Sequence, residues 1–174
     1  MSQRHPIIAI TGSSGAGTTT VKDTFSKIFV REGVKASFIE GDAFHRYDRA
    51  AMKAKVAEEE KNGNLHFTHF NPEANELETL ESVFETYGKT GTGKTRIYVH
   101  DDSEAEQYGT PPGTFTQWRD LPESDLLFYE GLHGCAVTDK VNLAKHVDLK
   151  IGVVPVINLE WIQKIHRAKI YRGG

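Results

Sequence analysis

The sequence holds one cysteine, Cys135, in 174 residues, so no internal disulfide can close, and no Cys/His pairs stand at zinc-ligand spacing. A reducing compartment and an unstapled fold are expected. Charge of one sign is also missing: 21 Lys and Arg against 24 Asp and Glu leave a formal net charge of −3. With a pI near 6.2, that balance argues against a protein built to neutralise nucleic-acid phosphates, which needs a strongly basic face. No nucleic-acid partner is expected, and any phosphate it binds should be small and local. There is no long apolar run either. The stretch Ile7 to Thr11 near the N-terminus is too short for a signal-peptide core or a membrane span, which predicts a cytoplasmic protein with no membrane partner. No internal repeat or low-complexity tract interrupts the chain. What remains, 38% hydrophobic and 26% charged residues, is ordinary globular composition at the length of one domain, residues 1–174.

The pattern along the chain is that of an α/β fold. Pro6 to Thr11 is a continuous β-branched and apolar run, the mark of a strand buried on both faces of a parallel sheet. A Gly-rich turn follows, then Thr18 to Glu32, where Val21, Phe25, Ile28 and Phe29 form the stripe of an amphipathic helix that Gly33 ends. Val34 to Glu40 reads as a second strand, closing one β-turn-α-β unit. Residues 46–61 and 73–87 read as peripheral helices, with Asn71-Pro72 at the start of the second. Residues 88–95 read as a loop, 96–100 as a short strand and 101–124 as a turn-rich polar stretch. Leu126 to Gly131 and Val147 to Val154 are further buried strands, and Pro155 through Trp161 and Ile165 reads as a helix.

Two segments compete to be a phosphate loop. Residues 88–95, Gly88 to Thr95, match G-x-x-x-x-G-K-[ST] to the letter, whereas Gly12-Ser13-Ser14-Gly15-Ala16-Gly17-Thr18-Thr19 departs from it only at Thr18, where the lysine would stand. Context decides between them. A phosphate loop joins the carboxyl end of a buried strand to a helix N-terminus, so that backbone N–H groups and the helix dipole converge on the anion. Only residues 12–19 have that setting, and the glycine spacing is not that of a dinucleotide fingerprint. The reading is a P-loop NTPase fold, a mainly parallel sheet with helices on both faces. Gly12 to Thr20 are the nucleotide-binding candidates, and Thr19 is placed toward Mg²⁺. With no lysine in the loop, another cation must face the β/γ-phosphates.

Asp42 lies just past the second strand, at the edge that lines the ligand crevice of open α/β sheets. A carboxylate there can accept a proton from a hydroxyl attacking a γ-phosphoryl group, or simply cap the next helix. His45, Arg46 and Arg49 stand within two helical turns and could hold an anionic substrate beside it. Glu130 ends an apolar strand as a Walker-B acid does, next to Mg²⁺, or serves as an ion-pair partner. His133 reads as a turn residue. Lys164, Arg167 and Arg172 are either an ordinary cationic helix end or a lid that brings positive charge to a triphosphate.

The segments Gly12–Thr18, Glu40–Arg46, Tyr98–Asp102, Leu127–Gly134 and Val154–Arg167 together resemble the bacterial branch of the phosphoribulokinase family of P-loop kinases. The resemblance runs the length of the chain and implies ATP- and Mg²⁺-dependent phosphorylation of D-ribulose 5-phosphate at its 1-hydroxyl, the Calvin-cycle step of an alcohol-acceptor phosphotransferase. By that resemblance Asp42 is the base, Lys164 and Arg167 are catalytic, and Thr19 and Glu130 form the Mg²⁺ side. His45, Arg49, Tyr98, His100 and Arg172 then face the sugar phosphate. It also implies a homo-oligomer, and an NADH effector site to which Arg31 contributes. The rival readings are a non-catalytic ATP-binding or subunit-interacting fragment and a related P-loop small-metabolite kinase. Family members are longer, so the C-terminal part of the fold is expected to be missing, and the family carries a catalytic aspartate at the place of Ala168. The expectation is therefore weak Mg-ATP binding and slow or absent turnover by this chain.

Overall fold

The computed structural model describes residues 4–13, 15–156, 161, 162 and 165. Four parallel strands make the main sheet: β1 (Ile7–Gly12), β2 (Ala36–Glu40), β5 (Leu126–Gly131) and β6 (Leu149–Val153), in the order β2-β5-β1-β6. The remaining strands, β3 (Lys94–Thr95) and β4 (Arg119–Asp120), form a separate antiparallel pair. Helices α1 (Thr18–Glu32), α2 (Arg49–Lys61), α3 (Leu77–Thr90) and α4 (Asp102–Tyr108) accompany the strands.

Why the central strands are apolar is clear from what covers them. On one face Phe29 of α1 packs with Ile10, Leu126 and Phe128, and Phe25 joins them. On the other face Leu77, Leu80, Phe84 and Tyr87 of α3 pack on Ile7, Ile39, Leu127 and Tyr129. A strand covered on both sides has no polar face, so Leu126 to Tyr129 are all buried. Helix α1 stops where Gly33 turns left-handed at φ 68° and its N–H bonds back to Phe29 and Val30 carbonyls.

Several sequence expectations are corrected. Helix α3 is not peripheral: five of its side chains are buried, and its polar composition reflects only the outer face. It begins at Leu77 rather than near 73, because Pro72–Ala74 form a separate 3-10 turn. It also runs on to Thr90, so the loop before β3 is short. Residues 96–100 are not a strand; Tyr98 makes only an isolated bridge to Phe115, and the ladder lies earlier, at Lys94–Thr95. The polar stretch 101–124 contains α4, whose start Asp101 caps by accepting from the Glu104 N–H at 3.0 Å. The Asp-x-x-Glu spacing at 101–104 was the missed signal. Pro155 and Val156, expected to open a helix, are not helical, whereas Trp161, Ile162 and Ile165 are.

Phe128 is fully buried, with the rings of Phe25, Phe29 and Phe38 all within 5.5 Å. Phe128→Ala should lower unfolding free energy by about 3–5 kcal/mol, read as a fall in the urea midpoint at unchanged slope.

Candidate active site

Parallel strands place all their carboxyl ends at one edge, and the chemistry-bearing residues collect there. Glu130 is level with Ile10 of β1 and Glu40 of β2. Beyond them come Gly12, Gly41 and Gly131. Gly41 and Gly131 pack backbone to backbone: a Cβ on Gly131 would stand 2.8 Å from the Gly41 Cα, and one on Gly41 would meet the Tyr129 hydroxyl at 2.6 Å. Side chains at either position would push β2 and β5 apart at the crevice.

The loop after β1 has the strand-to-helix setting that anion binding needs. Ala16 N–H donates to the Ser13 carbonyl at 2.9 Å, and Gly15 and Gly17 adopt φ of 89° and 96°. Ser14 lies outside the described residues. Gly17 occupies the N-cap with no side-chain cap, which leaves the first N–H groups of α1 available to an anion. The rival segment at 88–95 is divided between the end of α3 and β3, with the Lys94 ammonium 3.8 Å from Asp120, so no helix starts behind it.

Thr18, standing where the lysine would, is buried and hydrogen-bonds Glu130. Thr19 and Thr20 are exposed on the first turn of α1. Burial raises the Glu130 carboxyl above its ordinary range, Thr18 and Lys22 oppose that rise, and Glu40 and Asp42 add to it. Lys22, one turn after Thr18, pairs with Glu40 at 2.7 Å. Among the described residues no three His, Cys, Asp or Glu side chains converge as a metal site; Glu130 and the Thr18 hydroxyl are the pair of hard oxygen donors beside the loop.

Asp42 sits in a 3-10 turn, Gly41–Phe44, and caps no helix. Its carboxylate instead accepts from two imidazoles, His100 Nε2 at 3.0 Å and His45 Nε2 at 3.2 Å. Burial alone would raise this carboxyl, but the two histidines hold it far below the usual range. Reciprocally, Asp42 first and then Glu104 raise His100 against burial, and Asp42 raises His45 against a larger burial cost. Glu104 accepts from both the His100 N–H (2.7 Å) and Nδ1 (3.1 Å). Tyr98 meets both imidazoles edge-on, with centroids 5.9 Å from His45 and 5.0 Å from His100. Arg49 reaches the same corner through the His100 carbonyl at 2.7 Å. Arg46 turns away, to the Asn75 carbonyl and Glu78.

Arg96, which carried no motif in the sequence, holds the Asp42 turn in place. Its guanidinium donates to the Ala43 carbonyl (2.7 Å) and the His45 carbonyl (2.8 Å), and lies over the rings of Phe115 and Trp118. Asn75 and Glu104 were likewise not singled out by sequence, since an isolated Asn or Glu in a polar stretch has no pattern. Arg31 lies at the far end of α1 from the phosphate loop and pairs with Glu32. Lys164, Arg167 and Arg172 lie outside the described residues.

The Asp42 cluster titrates from both sides. A depressed carboxyl stabilises above its unfolded value near ~3.9 and loses that contribution as pH falls through the folded one. Raised histidines stabilise below ~6.5 and lose it as pH rises through their folded values. The stability difference between the chain and Asp42→Asn should therefore be greatest between about pH 4 and 6.5 and shrink at higher pH. Urea midpoints at pH 5.5 and 9 check this, and a pH-independent difference would contradict it.

Residues 7–174 match the model of the phosphoribulokinase / uridine kinase family. The chain is 72% identical over 173 residues to the phosphoribulokinase of Sinorhizobium medicae and 63% identical over 174 to phosphoribulokinase 2 of Cereibacter sphaeroides. In each case 99% of this chain is covered and 60% of the relative, so it spans about three fifths of their length. The solved phosphoribulokinase of Rhodobacter spheroides superposes with a TM-score of 0.86 at 59% identity, covering 99% of this chain and 59% of that one. A possible uridine kinase of Bacillus stearothermophilus shares the fold at a TM-score of 0.63 and 16% identity, covering 99% of this chain and 85% of its own. With a family match over nearly all of its length and a loop that joins a buried strand to a helix at the edge where an imidazole-held carboxylate stands, the chain belongs to the phosphoribulokinase / uridine kinase family.

Proposed function

We propose that the chain carries the catalytic half of an ATP-dependent kinase that converts D-ribulose 5-phosphate to D-ribulose 1,5-bisphosphate, the carbon-fixation step implied by the names of its relatives. The observation that carries the reading is the carboxylate of Asp42 between two imidazoles, across the strand-end crevice from the 12–19 loop. The nucleotide triphosphate lies along the N–H groups of residues 12–20. Glu130 and the Thr18 hydroxyl, with Thr19 on the adjoining turn, would hold Mg²⁺, which would supply charge that offsets the transferred phosphoryl group.

Asp42 is ionised throughout the working pH range, so it is always in the proton-accepting form. It orients the 1-hydroxyl and takes its proton as that oxygen bonds to the γ-phosphorus and the bond to the β–γ bridging oxygen breaks, leaving ADP. In a loose transition state the hydroxyl loses its proton late, so a weak base suffices and its position is what counts. His45, His100 and Arg49, beside Tyr98, offer the positive charge and donors that a sugar phosphate needs. Lys164, Arg167 and Arg172 complete the charge around the γ-phosphate. NADH control involving Arg31 and homo-oligomeric assembly belong to the same reading.

The reading is tested in this chain and in a version extended with the remainder of the Sinorhizobium medicae sequence. Gly17→Val forces a left-handed position and should abolish ATP binding, whereas Lys94→Ala should leave affinity within ~3-fold. Loss of binding in Lys94→Ala alone overturns the assignment of the loop.

In the extended protein carrying Ala168→Asp, Asp42→Asn should cut turnover of ribulose 5-phosphate by at least ~10²-fold and leave ATP affinity unchanged. An Asn variant of undiminished turnover places the base elsewhere. The version that keeps Ala168 should turn over more slowly than its Asp counterpart.

A further inference from the structure

The active corner contains two histidines of opposite character, His45 with its ring raised and His133 with its ring lowered. One buried amide lies between them. Asn75 is 2% exposed, and its hydrogen bonds determine which way round the amide sits. Nδ2 is 2.8 Å from the Asn71 carbonyl and 3.0 Å from the His69 carbonyl. Carbonyls only accept, so the atom facing both must be the nitrogen. Oδ1 is thereby turned to His45 Nδ1 at 2.8 Å. An amide oxygen only accepts, so His45 Nδ1 must carry a proton. The other ring nitrogen, Nε2, faces the Asp42 carboxylate, which again can only accept. Both nitrogens of His45 therefore meet acceptors, and the imidazolium alone satisfies both. His133 stands in the reverse position: its Nε2 lies 3.2 Å from Asn75 Nδ2, a nitrogen that accepts nothing and whose two protons face the Asn71 and His69 carbonyls, so a proton on this Nε2 would meet no acceptor there and the neutral ring is the form that fits.

We propose that Asn75 is a positioning residue that fixes His45 as the doubly protonated cation aimed at Asp42 and keeps His133 neutral, so that the proton of this pair is assigned to the histidine on the sugar-phosphate side. The inference rests on the reading of the previous subsection for what His45 binds, but not for its charge. Other groups around His45 set the background. His100 and Tyr98 approach from the segment before α4, His69 from the loop before α3 at 5.8 Å between centroids, and the Arg96 guanidinium at the His45 carbonyl. The cations among them disfavour the charge on His45, which leaves Asp42 and Asn75 as the groups that hold it.

The proton assignment is read in the unmodified chain from the nitrogen shifts of ¹⁵N-histidine, with signals identified by His45→Gln and His133→Gln. His45 should titrate above His133, and His133 should be neutral with its proton on Nδ1 at pH 7. A neutral His45 beside a charged His133 overturns the proposal, and needs no substrate to do so.

Asn75→Leu, which keeps the size and removes both bonding partners, should lower the His45 titration to its ordinary range or below. In the extended protein, the KM for ribulose 5-phosphate should rise ~10-fold or more at pH 8, recover toward that of the parent near pH 6, and leave the KM for ATP unchanged. An unmoved His45 titration, or a KM change equal at both pH values, reduces Asn75 to a packing residue. Should Asn75→Leu not fold, the shifts of the unmodified chain still decide.

Discussion

Burial of β5 on both faces is the constraint from which the site follows. Four consecutive apolar side chains, Leu126 to Tyr129, can be hidden only if helices cover the sheet above and below, and helices reach both faces only through crossovers between parallel strands. Parallel strands then end together. The loop after β1, the turn after β2 and the acid at the end of β5 come within reach of one another because the core demanded that arrangement. The contact of Gly41 with Gly131 is the closest expression of it.

The edge thus created is electrostatically uneven. Glu40, Glu130 and Asp42 are brought close by the backbone, and each answers differently. Glu40 takes the Lys22 ammonium, Asp42 takes two imidazoles, and Glu130 has a threonine hydroxyl and an otherwise unfavourable setting. The carboxylate whose charge is least well met is Glu130, beside the 12–19 loop. Substitution of the loop lysine by Thr18 fits the same picture. The hydroxyl bonds the acid rather than supplying charge of its own, so the positive charge at the crevice comes from outside the loop.

How much of this could be read in the sequence depended on period and context. Helix α1, ended by Gly33, and the runs forming β1 and β5 were legible because apolar spacing and glycine positions agree there. The strand-to-helix setting of residues 12–19, and its absence at 88–95, could be read from the order of elements alone. Asp42 and His45 could be named as neighbours in sequence. What could not be read was contact between distant segments: His100 on Asp42 across 58 positions, or Asn75 on His133 across another 58. Helix α4 and the depth of α3 were obscured by their polar outer faces, and Arg96 by a short strand pattern. Its guanidinium nitrogens meet carbonyls of the Asp42 turn 53 and 51 positions away.

Arg96 has a practical side. Its guanidinium plane lies on Trp118, 4.7 Å from the ring centroid, and the same indole meets the Phe44 ring edge-on at 5.5 Å. Phe44 belongs to the turn that carries Asp42. The chain has only two tryptophans, and the other, Trp161, is 65% exposed. Light emitted by an indole shifts with the charge and water around it, so Trp118 is a built-in optical gauge for the turn that carries Asp42. Any rearrangement that lifts Arg96 from the ring or slides Phe44 along it changes the colour of the emission, without a label attached anywhere on the protein.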